Sequence, residues 1–590
     1  MQKRWLLSPP SPHSSSIATA LHISPTLAQI LSSRGQTTPD AARAFLNPRL
    51  ANLTDPSLLP DMTVAIRRLM DAIEQKEKIV IYGDYDVDGV TATALLVRVL
   101  RSLGADIAFF LPNRIDEGYG LTTDGLDRCL SEHSPRLLIA VDCGTSSRDQ
   151  IAGVKQSGVD VIVLDHHTPP ANGLPDCPVV NPKRLSENPL WKDLCSAGIA
   201  FKFAHALLKS ANLKSLPAKA GQISNLKSHL DLVALGTIAD IVPLTGENRI
   251  LARAGLAQIG QTEKIGLKKL MEKADVPHGK TIEPSHVGFR LGPRLNAAGR
   301  LGDAQAALEL LLTEDEHRAE KLASFLDINN RERQQTEKRV LEEAMGMLSD
   351  FDASKERAIV LAKEGWHIGV VGIVAARIVR EFYRPTCIIG IDPSTSLRAG
   401  SDGMGRGSCR SIHGFDITAA LGKCSGLLDR FGGHTAAAGL SVRSEFVEKL
   451  RKKLNAIAAE QLKPEDLQPR LEIDAEVSLA DVTEEMLAEL EELEPFGCDN
   501  PTPLFCARNL EVKNASTVGA DGKHLRLRLS DSEVTLSAIG FGLGSLKNTI
   551  LNPPSSTLGV DVVFTADWNE FQGRREIQLN LKDVRVSTAP

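Results

Sequence analysis

The sequence predicts a multi-domain α/β protein, in which two α/β lobes are joined by a long helix and followed by a small all-β module. Three observations lead to this fold class. Apolar, β-branched runs alternate with helix-like stretches over residues 78–242, a strongly helical pattern extends over residues 313–349, and short alternating strands follow Leu467. At 590 residues, the chain is also too long for a single core.

The composition is that of an ordinary globular protein. The apolar fraction is 42% and the charged fraction 24%, which argues against a disordered or fibrous class. The nine cysteines include no C-x-x-C pair, which argues against a thiolate zinc site and a disulfide framework and favours the reducing cytoplasm. We expect no secretion signal and no membrane span. A net charge of −6 gives no global attraction to nucleic acid, so a DNA site would need locally clustered Lys and Arg.

The first lobe is predicted to contain a parallel sheet. Four apolar runs, each followed by an acidic residue, are interpreted as its strands: 79–81, 137–141, 159–164 and 232–238. Helix-like stretches such as 90–103 separate them. Because polar groups at the carboxyl ends of parallel strands converge on one crevice, we expect these acidic residues to lie together.

The pattern then becomes helical. Residues 313–349 open with a capping-box spacing and stay rich in Glu, Arg, Lys and Leu, which predicts a connecting helix of roughly 50 Å at about 1.5 Å per residue. A second α/β unit follows, with strands at 358–362 and 387–391, a helix at 367–383, and Gly-rich loops at 400–407 and 432–433.

The C-terminal module is predicted to be an OB-type barrel. Its short alternating strands include 525–529, 560–566 and 576–581. At the other end of the chain, the Ser-rich patch at 11–16 predicts a frayed terminus.

The segment Gly83 to Gly89 is the first candidate for chemistry. It places Asp84, Asp86 and Asp88 within five residues, directly after a predicted strand and before a predicted helix. Three carboxylates so close repel one another unless a cation lies among them. A simple capped turn is the alternative interpretation.

Three further acidic positions follow predicted strands. Asp142 is compatible with a helix N-cap, and the run Asp165-His166-His167 with a helix cap followed by ordinary histidines. However, imidazole is also the commonest metal-ligand side chain. Asp240 ends an apolar stretch, where an unpaired buried charge would be costly.

The joint occurrence of these signals predicts a metal site, although each is weak by itself. A carboxylate-rich set with one or two imidazoles suits Mn²⁺ or Mg²⁺ better than structural zinc, and there are enough ligands for two ions. Two such ions about 3.5–4 Å apart can activate a water and stabilise both the attacking and the leaving oxygen at phosphorus. The sequence therefore predicts phosphoester hydrolysis.

The ordered motifs resemble those of the DHH phosphoesterase superfamily. The matching positions are Asp86-x-Asp88, Asp142, Asp165-His166-His167 and Asp240. The run 432–439 resembles the signature of the associated C-terminal domain. Taken alone, it predicts a tight Gly-Gly turn entering a helix, which is also a natural phosphate seat. Within the superfamily the chain is similar to the RecJ family, because Tyr82 stands where smaller members have a histidine. Segments 112–120, 292–300, 407–411 and 493–497 also resemble segments of RecJ-family proteins.

The resemblance implies a single-stranded-DNA-specific exonuclease that acts from 5′ to 3′ in recombination and repair. It implies two ions, Mn²⁺ or Mg²⁺, held by Asp84, Asp86, Asp88, Asp142, His166 and Asp240. Asp142 is expected to bridge the ions and His167 to face the scissile phosphate, so that Asp142, His166 and His167 are the expected catalytic residues. Whether Asp84 is a direct ligand stays open.

A nuclease that attacks the 5′ end needs a pocket for the terminal phosphate. The segment 406–411 offers guanidinium and hydroxyl groups in a Gly-rich loop, which suits phosphate capture, although solvated surface arginines are the alternative. The expected phosphate-binding residues are Arg114, Arg294, Arg300, Ser408, Arg410, Gly432, Gly433 and His434.

The expected domains are an N-terminal extension (1–49), a DHH domain (50–305), a connecting helix (306–350), a DHH-associated domain (351–465) and an OB-like domain (466–590). Residues 204–227 are interpreted as an insertion of unassigned role. Single-stranded DNA with a 5′ end, a helicase and a single-stranded-DNA-binding protein are the expected partners of a cytoplasmic monomer. Two other interpretations stay open: a non-catalytic DNA-binding relative, which would have lost metal ligands, and a small-substrate member of the superfamily.

Overall fold

The computed structural model describes residues 3–113, 120–185, 187, 189–210, 226–301, 304–392, 403–551, 557–571 and 573–588. The chain forms two compact units. The larger unit consists of Trp5–Gly292, Leu308–Ala319 and Leu471–Pro590, and the smaller unit consists of Met1–Arg4, Pro293–Ala307 and Glu320–Arg470.

The first half of the larger unit is built on a five-stranded parallel sheet. It is preceded by β1 (Arg4–Leu7), α1 (Ser14–Leu21), α2 (Pro25–Ser33), α3 (Pro39–Leu46) and α4 (Met62–Glu74). Its strands are β2 (Ile79–Gly83), β3 (Ile107–Phe110), β4 (Leu137–Val141), β5 (Asp160–Leu164) and β6 (Val179–Val180). The strand order is β3-β2-β4-β5-β6, and all neighbours are parallel. β2 and β4 are buried throughout, which explains their continuous apolar, β-branched sequences.

Helices complete this part of the larger unit. They are α5 (Val87–Ser102), α6 (Thr123–His133), α7 (Arg148–Gln156), α8 (Ser196–Ser210), α9 (Leu230–Ala239), α10 (Gly246–Gly260), α11 (Ile265–Lys273) and α12 (Pro284–His286), after which Val287–Leu291 forms a π-helical turn. The prediction of a strand at 232–238 was wrong, because these residues lie in α9. That helix is apolar on all sides and almost fully buried, and a short apolar run does not distinguish such a helix from a buried strand.

The smaller unit begins with α13 (Gly292–Leu301), α14 (Ala304–Leu312) and α15 (Glu316–Met347), helices whose first or last residues belong to the larger unit. The 32 residues of α15 confirm the predicted long helix, which is about 48 Å long at 1.5 Å per residue. Of the helices in the described ranges, none is long and apolar enough to cross a membrane. The predicted insertion at 204–227 contains the end of α8 and a short turn at Leu226–His229, and its residues 211–225 lie outside the described residues.

A second sheet forms the core of the smaller unit. Its elements are β7 (Ile359–Glu364), α16 (Ile368–Phe382), β8 (Thr386–Ile391), β9 (Met404–Arg410), α17 (Ile417–Lys423), β10 (Arg430–His434), β11 (Ala437–Arg443) and α18 (Val447–Gln461). The strand order is β10-β11-β9-β8-β7, with only β7 and β8 parallel among these described strands. The predicted strands and helix at 358–391 are therefore confirmed.

Two Gly-rich segments of the smaller unit differ from the prediction. Residues 404–407 and 432–433 form strands rather than loops, and residues 437–443 form a strand rather than a helix. Residues 400–402 of the first predicted loop lie outside the described residues. In β9 the glycines make room for a neighbouring side chain, since a Cβ at Gly405 or Gly407 would lie within 2.8 Å of Ile389. The Gly-Gly motif thus lies in an edge strand of a hairpin, not at a helix N-terminus.

The C-terminal part of the larger unit is a closed barrel, as predicted. It follows β12 (Arg470–Ile473), which pairs with β1 in a separate two-stranded sheet. Its elements are β13 (Ala475–Glu476), α19 (Glu484–Glu491), β14 (Phe505–Val518), β15 (His524–Ser530), β16 (Thr535–Gly540), α20 (Lys547–Leu551), β17 (Thr557–Phe571) and β18 (Arg574–Thr588). The sheet order β13-β14-β15-β16-β18-β17 closes because β14 also pairs with β17. The predicted strands at 525–529, 560–566 and 576–581 lie within β15, β17 and β18.

The N-terminal helices share the apolar core of this barrel. Ile17, Leu31 and Phe45 belong to one buried cluster with barrel residues such as Leu529 and Phe564. The prediction of a frayed terminus at 11–16 was therefore wrong, since α1 begins at Ser14. The sequence could not show this, because the packing partners of these helices lie more than 400 residues further along the chain.

Candidate metal centre

Acidic residues occupy the carboxyl edge of the parallel sheet. Asp84 follows β2, Asp142 follows β4 and Asp165 follows β5, and these three strands are direct neighbours. The backbone confirms the alignment, because the N–H of Asp84 donates to the carbonyl of Val141 and the N–H of Asp142 to the carbonyl of Leu164. The strand ends therefore bring the predicted residues to one place.

Three carboxylates converge on the imidazole of His166. Its Nε2 lies 3.4 Å from Oδ1 of Asp142, 3.5 Å from Oδ2 of Asp240 and 3.9 Å from Oδ2 of Asp88. Ligand atoms of Asp88, His166 and Asp240 lie within 4.8 Å of one another, and so do those of Asp142, His166 and His167. Both groups of atoms are compact enough to hold a cation.

Asp240 reaches this cluster from a helix rather than from a strand. It is the residue that follows α9 and caps its carboxyl end, with its N–H donating to Gly236. Close packing brings the helix to the sheet, because a Cβ on Gly236 would lie 2.7 Å from Oδ1 of Asp88 and 2.7 Å from Oγ1 of Thr91. A glycine at this point of α9 is therefore required for the site to assemble.

The first turn of α8 orients two of the carboxylates. The N–H groups of Ser196 and Ala197 donate to the two oxygens of Asp88, at 2.7 and 2.9 Å. The hydroxyl of Ser196 donates to Oδ1 of Asp142 at 2.9 Å. A helix N-terminus stabilises negative charge through its free N–H groups, so α8 helps to keep buried Asp88 in place.

Burial and mutual repulsion perturb the carboxylates strongly. Burial, followed by the charge of Asp86, raises the pKa of Asp88 to about 6. Burial, followed by the charges of Asp88 and Asp86, raises the pKa of Asp240 to about 8 and holds that of Asp142 well above its ordinary value. Each of these shifts would be relieved by a cation among the oxygens, so the donor set fits a hard divalent ion.

Asp84 and Asp86 border the cluster and also shape the local backbone. Oδ1 of Asp86 accepts hydrogen bonds from the N–H groups of Asp88 and Gly89 and so caps α5, which makes the capped-turn interpretation correct for this residue. Oδ1 of Asp84 accepts from the N–H of Tyr85 at 2.8 Å, and the side chain is nearly buried. The negative charges of both residues raise the pKa of Asp142.

Asp165 holds His167 in the charged form. Oδ1 of Asp165 lies 2.7 Å from Nδ1 of His167 and also accepts from the N–H groups of His166 and His167, while its Oδ2 accepts from Thr145. The bond from Asp165 raises the pKa of His167 to about 9. Burial opposes ionisation of Asp165, but the bond and charge of His167 outweigh it and lower the pKa of the carboxyl. His167 is about half exposed, so a cationic imidazole faces outward beside the cluster.

Several residues that hold the site together were not predicted. Ser196 and Ala197 orient Asp88, and the side-chain amide of Asn181 donates to the carbonyl of His167 and to Thr145. The only signal for the first pair is a Ser and an Ala opening an apolar helix, which is common at helix N-termini and carries no chemistry by itself. Asn181 follows β6 at the same edge of the sheet and could have been found from that position.

Two arginines expected to bind phosphate are engaged within the smaller unit. Nε and Nη2 of Arg294 both lie 2.9 Å from Oδ1 of Asp327 on α15. Nη1 of Arg300 donates to the carbonyl of Gly369 in the first turn of α16, at 3.0 Å. Arg114 lies outside the described residues.

Arg410 is different, because its described contacts are all with neutral groups. Nη1 donates to Oγ of Ser408 at 3.0 Å and to the carbonyl of Cys409 at 2.9 Å. Burial lowers the pKa of Arg410. In the part of the chain that the structure describes, no carboxylate forms an ion pair with this guanidinium. A partly buried cation with neutral partners is suited to receive an anion.

The glycine motif forms an exposed strand. Gly432, Gly433 and His434 lie in β10, whose residues are all exposed, and Gly433 has a φ of 147°. A Cβ at Gly433 would lie 2.4 Å from the carbonyl oxygen of Ala437, so this hairpin requires glycine there.

Three family models match consecutive parts of the chain. The DHH family N-terminal domain matches residues 78–237, the DHHA1 domain residues 355–460 and the RecJ OB domain residues 473–583. The metal-centre residues Asp84 to His167 lie within the first match, and Asp240 lies just beyond it.

Named relatives match over nearly the whole chain. The single-stranded-DNA-specific exonuclease RecJ of Bacillus subtilis is 39% identical over 586 residues, which cover 99% of this chain and 71% of the relative. The chain belongs to the RecJ family. RecJ of Thermus thermophilus is 35% identical over 599 residues, which cover 99% of this chain and 79% of the relative. RecJ of Escherichia coli is 34% identical over 533 residues, covering 88% and 89%.

Solved RecJ structures agree with this assignment. RecJ of Thermus thermophilus in complex with Mn²⁺ superimposes with a TM-score of 0.81 at 31% identity, covering 99% of this chain and 80% of the other. The complex with Mg²⁺ superimposes with a TM-score of 0.74 at 29% identity, covering 99% and 79%. As a RecJ-family DHH phosphoesterase, the chain is a metal-dependent nuclease, and its carboxylate and imidazole groups fit Mn²⁺ or Mg²⁺.

Proposed function

We propose that this RecJ-family chain removes nucleotides from the 5′ end of single-stranded DNA by hydrolysis of phosphodiester bonds, in DNA recombination and repair. The observation that carries the proposal is the convergence of Asp88, Asp142 and Asp240 on Nε2 of His166. The names of the relatives, single-stranded-DNA-specific exonucleases, support the substrate.

Asp142 is proposed as the carboxylate shared by two ions, because it is buried and the charges of Asp88, Asp86, Asp84 and Asp240 all act on it. Asp86 and Asp142, with Asp84 close by, are proposed to hold one ion. The other is assigned to Asp88, Asp142, His166 and Asp240. When bound, two such ions supply a nucleophilic water at neutral pH and neutralise charge on the phosphate oxygens.

His167 is proposed to act on the scissile phosphate. Its bond to Asp165 keeps the imidazole protonated at neutral pH and fixes Nδ1, so that Nε2–H is left to face the substrate. A fixed cation beside the phosphate stabilises the charge that develops in the transition state. Asn181 supports this orientation by holding the backbone carbonyl of His167.

Selection of the 5′ end is proposed to depend on Arg410 and Ser408. A guanidinium and a hydroxyl 3.0 Å apart, with no carboxylate paired to the guanidinium in the described chain, suit a terminal phosphate. The exposed residues Gly432, Gly433 and His434 are proposed as further phosphate contacts. Arg294 and Arg300 are less suited, since each already has a partner in the smaller unit.

The five domains given by residue number above are proposed as the organisation of the chain, with one qualification. The extension at 1–49 and the barrel at 466–590 share a core and so form one folding unit. We also propose a cytoplasmic monomer that cooperates with a helicase and a single-stranded-DNA-binding protein.

The test is a digest of oligonucleotides labelled at the 5′ or the 3′ end, single- or double-stranded, with and without Mn²⁺. We expect Mn²⁺-dependent release of labelled nucleotide from the 5′ end of single strands only. Dinucleotides serve as the comparison substrate: faster cleavage of dinucleotides than of long strands would support a small-substrate enzyme. Absence of hydrolysis with retained DNA binding would support a non-catalytic relative.

A further inference from the structure

Ile241, the residue directly after the metal-centre carboxylate Asp240, has an unusual backbone conformation. Its φ is 60°, in the left-handed region, where it ends α9. That position of a helix end is commonly occupied by glycine, because a Cβ is disfavoured there. Among the described residues with positive φ, Ile241 is the only β-branched one. A β-branched side chain in this conformation is a true outlier, and the conformation costs free energy because the branched Cβ crowds the backbone.

Packing within the protein does not offset this cost. The Ile241 side chain is 72% exposed, so it gains little from burial. Glycine would give the same helix end without strain, and asparagine would give it with a polar side chain. An exposed apolar group held at a strained position suggests contact with something that arrives from solution.

The segment that carries Ile241 is fixed on its far side. The N–H of Leu244 donates to the carbonyl of Cys498 at 2.8 Å, and the side chain of Asn248 donates to the carbonyl of Pro243 at 3.1 Å. Since Asp240 is fixed in the cluster on the near side, Ile241 projects from a segment that is held at both ends.

A second exposed apolar side chain lies on the neighbouring element. Phe289 is 81% exposed and belongs to the π-helical turn Val287–Leu291. This turn leads into Gly292, which packs on the end of α9, since a Cβ at Gly292 would lie 3.5 Å from Cβ of Ala239. Phe289 and Ile241 are the two most exposed large apolar residues of the described chain. Two exposed apolar side chains are therefore carried by elements that meet at the end of α9.

We propose that Ile241 is a substrate-positioning residue that packs against the base of a nucleotide flanking the scissile phosphate. This inference rests on the proposed function. The metal centre recognises the phosphate. An apolar side chain beside it matches the flat, apolar face of the base. Such contact is tolerant of sequence, because every base has such a face. It would align the phosphate with Asp240 and the other ligands without reading the base.

The experiment combines enzyme variants with abasic strands. Single strands with one abasic site at nucleotide 1 or 2 from the 5′ end are compared with an intact strand and with a strand that is abasic at nucleotide 10. For the wild-type protein we expect kcat/KM to fall about tenfold for the abasic site that Ile241 contacts, the size typical of one base contact. The strand abasic at nucleotide 10 should be cleaved like the intact strand.

Ile241→Gly removes the side chain and the strain together. We expect this variant to fold with an equal or higher Tm, to bind Mn²⁺ as the wild type does, and to lose about tenfold in kcat/KM on the intact strand. The same abasic substitution should then cause no further loss. Ile241→Asn, which tolerates the backbone conformation but is polar, should behave like Ile241→Gly. Val64→Ala, at an exposed β-branched residue of α4, is the matched control and should change nothing.

Three results would overturn the inference. If the loss of kcat/KM caused by Ile241→Gly and the loss caused by an abasic site multiplied when combined, the two changes would act independently. Unchanged kcat/KM in Ile241→Gly would remove the role altogether. Weakened Mn²⁺ binding would show that Ile241 only supports Asp240. Equilibrium binding of the same strands in EDTA gives a second measure of the contact between Ile241 and the base. If the wild-type protein bound strands without cleaving them, the proposed function would be refuted. The binding measurement would still test the role of Ile241 in that case.

Discussion

Nε2 of His166 lies 3.4 Å from Oδ1 of Asp142, the same carboxylate oxygen that accepts the hydroxyl of Ser196. Oδ1 of Asp142 therefore belongs to the cluster of possible metal ligands and is also held in place by the hydroxyl of Ser196. Asp142 also has a left-handed backbone, with φ 64°, so its side chain is directed by a strained turn at the end of β4.

Asp142→Asn is expected to abolish Mn²⁺-dependent hydrolysis, by a factor of at least about 10³, because a neutral amide cannot neutralise two ions. The amide oxygen can still accept from Ser196, so the fold should persist. The apo variant should unfold at a higher temperature than the apo wild type, since a repelled, buried charge is removed. Activity, calorimetric Mn²⁺ titration and Tm are measured together, with exposed Asp149→Asn as the control. Substantial activity in the folded variant would contradict the two-ion assignment.

The stability of the metal-free protein should fall as pH rises. The pKa values of Asp88 and Asp240 in the folded protein, about 6 and about 8, exceed the ordinary value of about 3.9, so the folded protein binds these protons more tightly than the unfolded chain. The contribution of these two carboxyl groups to the free energy of unfolding is fully present below about pH 4. It is lost as pH rises through 6 and then 8, on the order of a few kcal/mol in all.

Mn²⁺ should reverse this trend, because metal ions compete with the same protons. Thermal unfolding from pH 5 to pH 8.5, with EDTA or with Mn²⁺, gives the measurement. We expect the difference in Tm between the two conditions to widen toward high pH. A constant difference across this range would show that these carboxylates do not bind the ion.

Asp165→Asn should make activity more sensitive to high pH. Without the carboxylate, the pKa of His167 falls from about 9 toward 6.5, so the imidazole loses its charge near neutrality. Relative to the wild type, we expect a small loss of kcat at pH 6 and at least a tenfold larger loss at pH 8. His167→Gln provides the comparison and should be impaired equally at both pH values. A parallel loss in the two variants would assign Asp165 a purely structural role.

Arg410→Ala should selectively slow the cleavage of strands with a 5′ phosphate and bring their rate close to that of 5′-hydroxyl strands. Removal of a charge-assisted bond to phosphate is expected to cost roughly 1.5–3 kcal/mol, or about 10–150-fold. Arg410→Lys should recover part of this, and Arg406→Ala, on the same strand but exposed, is the control. Equal losses on both substrates would mean that Arg410 supports the fold.

Two aromatic residues of the barrel should respond differently to truncation. Phe541 is 69% exposed, with the ring of His524 at 5.2 Å, so Phe541→Ala is expected to weaken binding of long single strands about tenfold and leave Tm unchanged. Trp568 packs against the barrel core under the guanidinium of Arg575, at 3.9 Å, so Trp568→Ala should lower Tm instead. Fluorescence anisotropy and thermal melting separate the two effects; the reverse pattern would exchange their roles.

These point variants are a better test of the barrel than its deletion. The sequence alone favours a truncation after Leu467, because it predicts a separate C-terminal module. In the structure it would expose the buried faces of Ile17, Leu31 and Phe45, so a loss of DNA binding could follow from misfolding alone.

Much of the metal centre could be predicted because its residues follow buried strands. β2, β4 and β5 are β-branched runs that end at an acid, and that local pattern places Asp84, Asp142 and Asp165 without any knowledge of the fold. Asp240 also lies in this cluster, but it reaches the cluster from a helix, whereas its apolar run predicted a strand. Ser196 was missed because its role depends on where the start of α8 meets Asp88, 108 residues earlier in the chain.

In the smaller unit, by contrast, the local sequence did not predict the structure of the Gly-rich segments. Glycines at 405, 407, 432 and 433 suggested loops, but in β9 and β10 they serve close packing and an exposed hairpin. The sequence shows that a glycine has no side chain, but it does not show which neighbouring residue occupies the space that a side chain would fill. Ile241 illustrates the same point, since it is an apolar residue next to a buried helix and yet its side chain is exposed.

The core shared by the N-terminal helices and the barrel also sets an order of events during synthesis. About 460 residues separate Phe45 from Phe505, so at roughly 5–20 residues per second a ribosome needs roughly 20–90 seconds to deliver the strands that cover α1 to α3. Throughout that interval the helices made first have an uncovered apolar face. These helices are therefore made well before the strands that bury them, and they are a natural target for a chaperone that binds nascent chains.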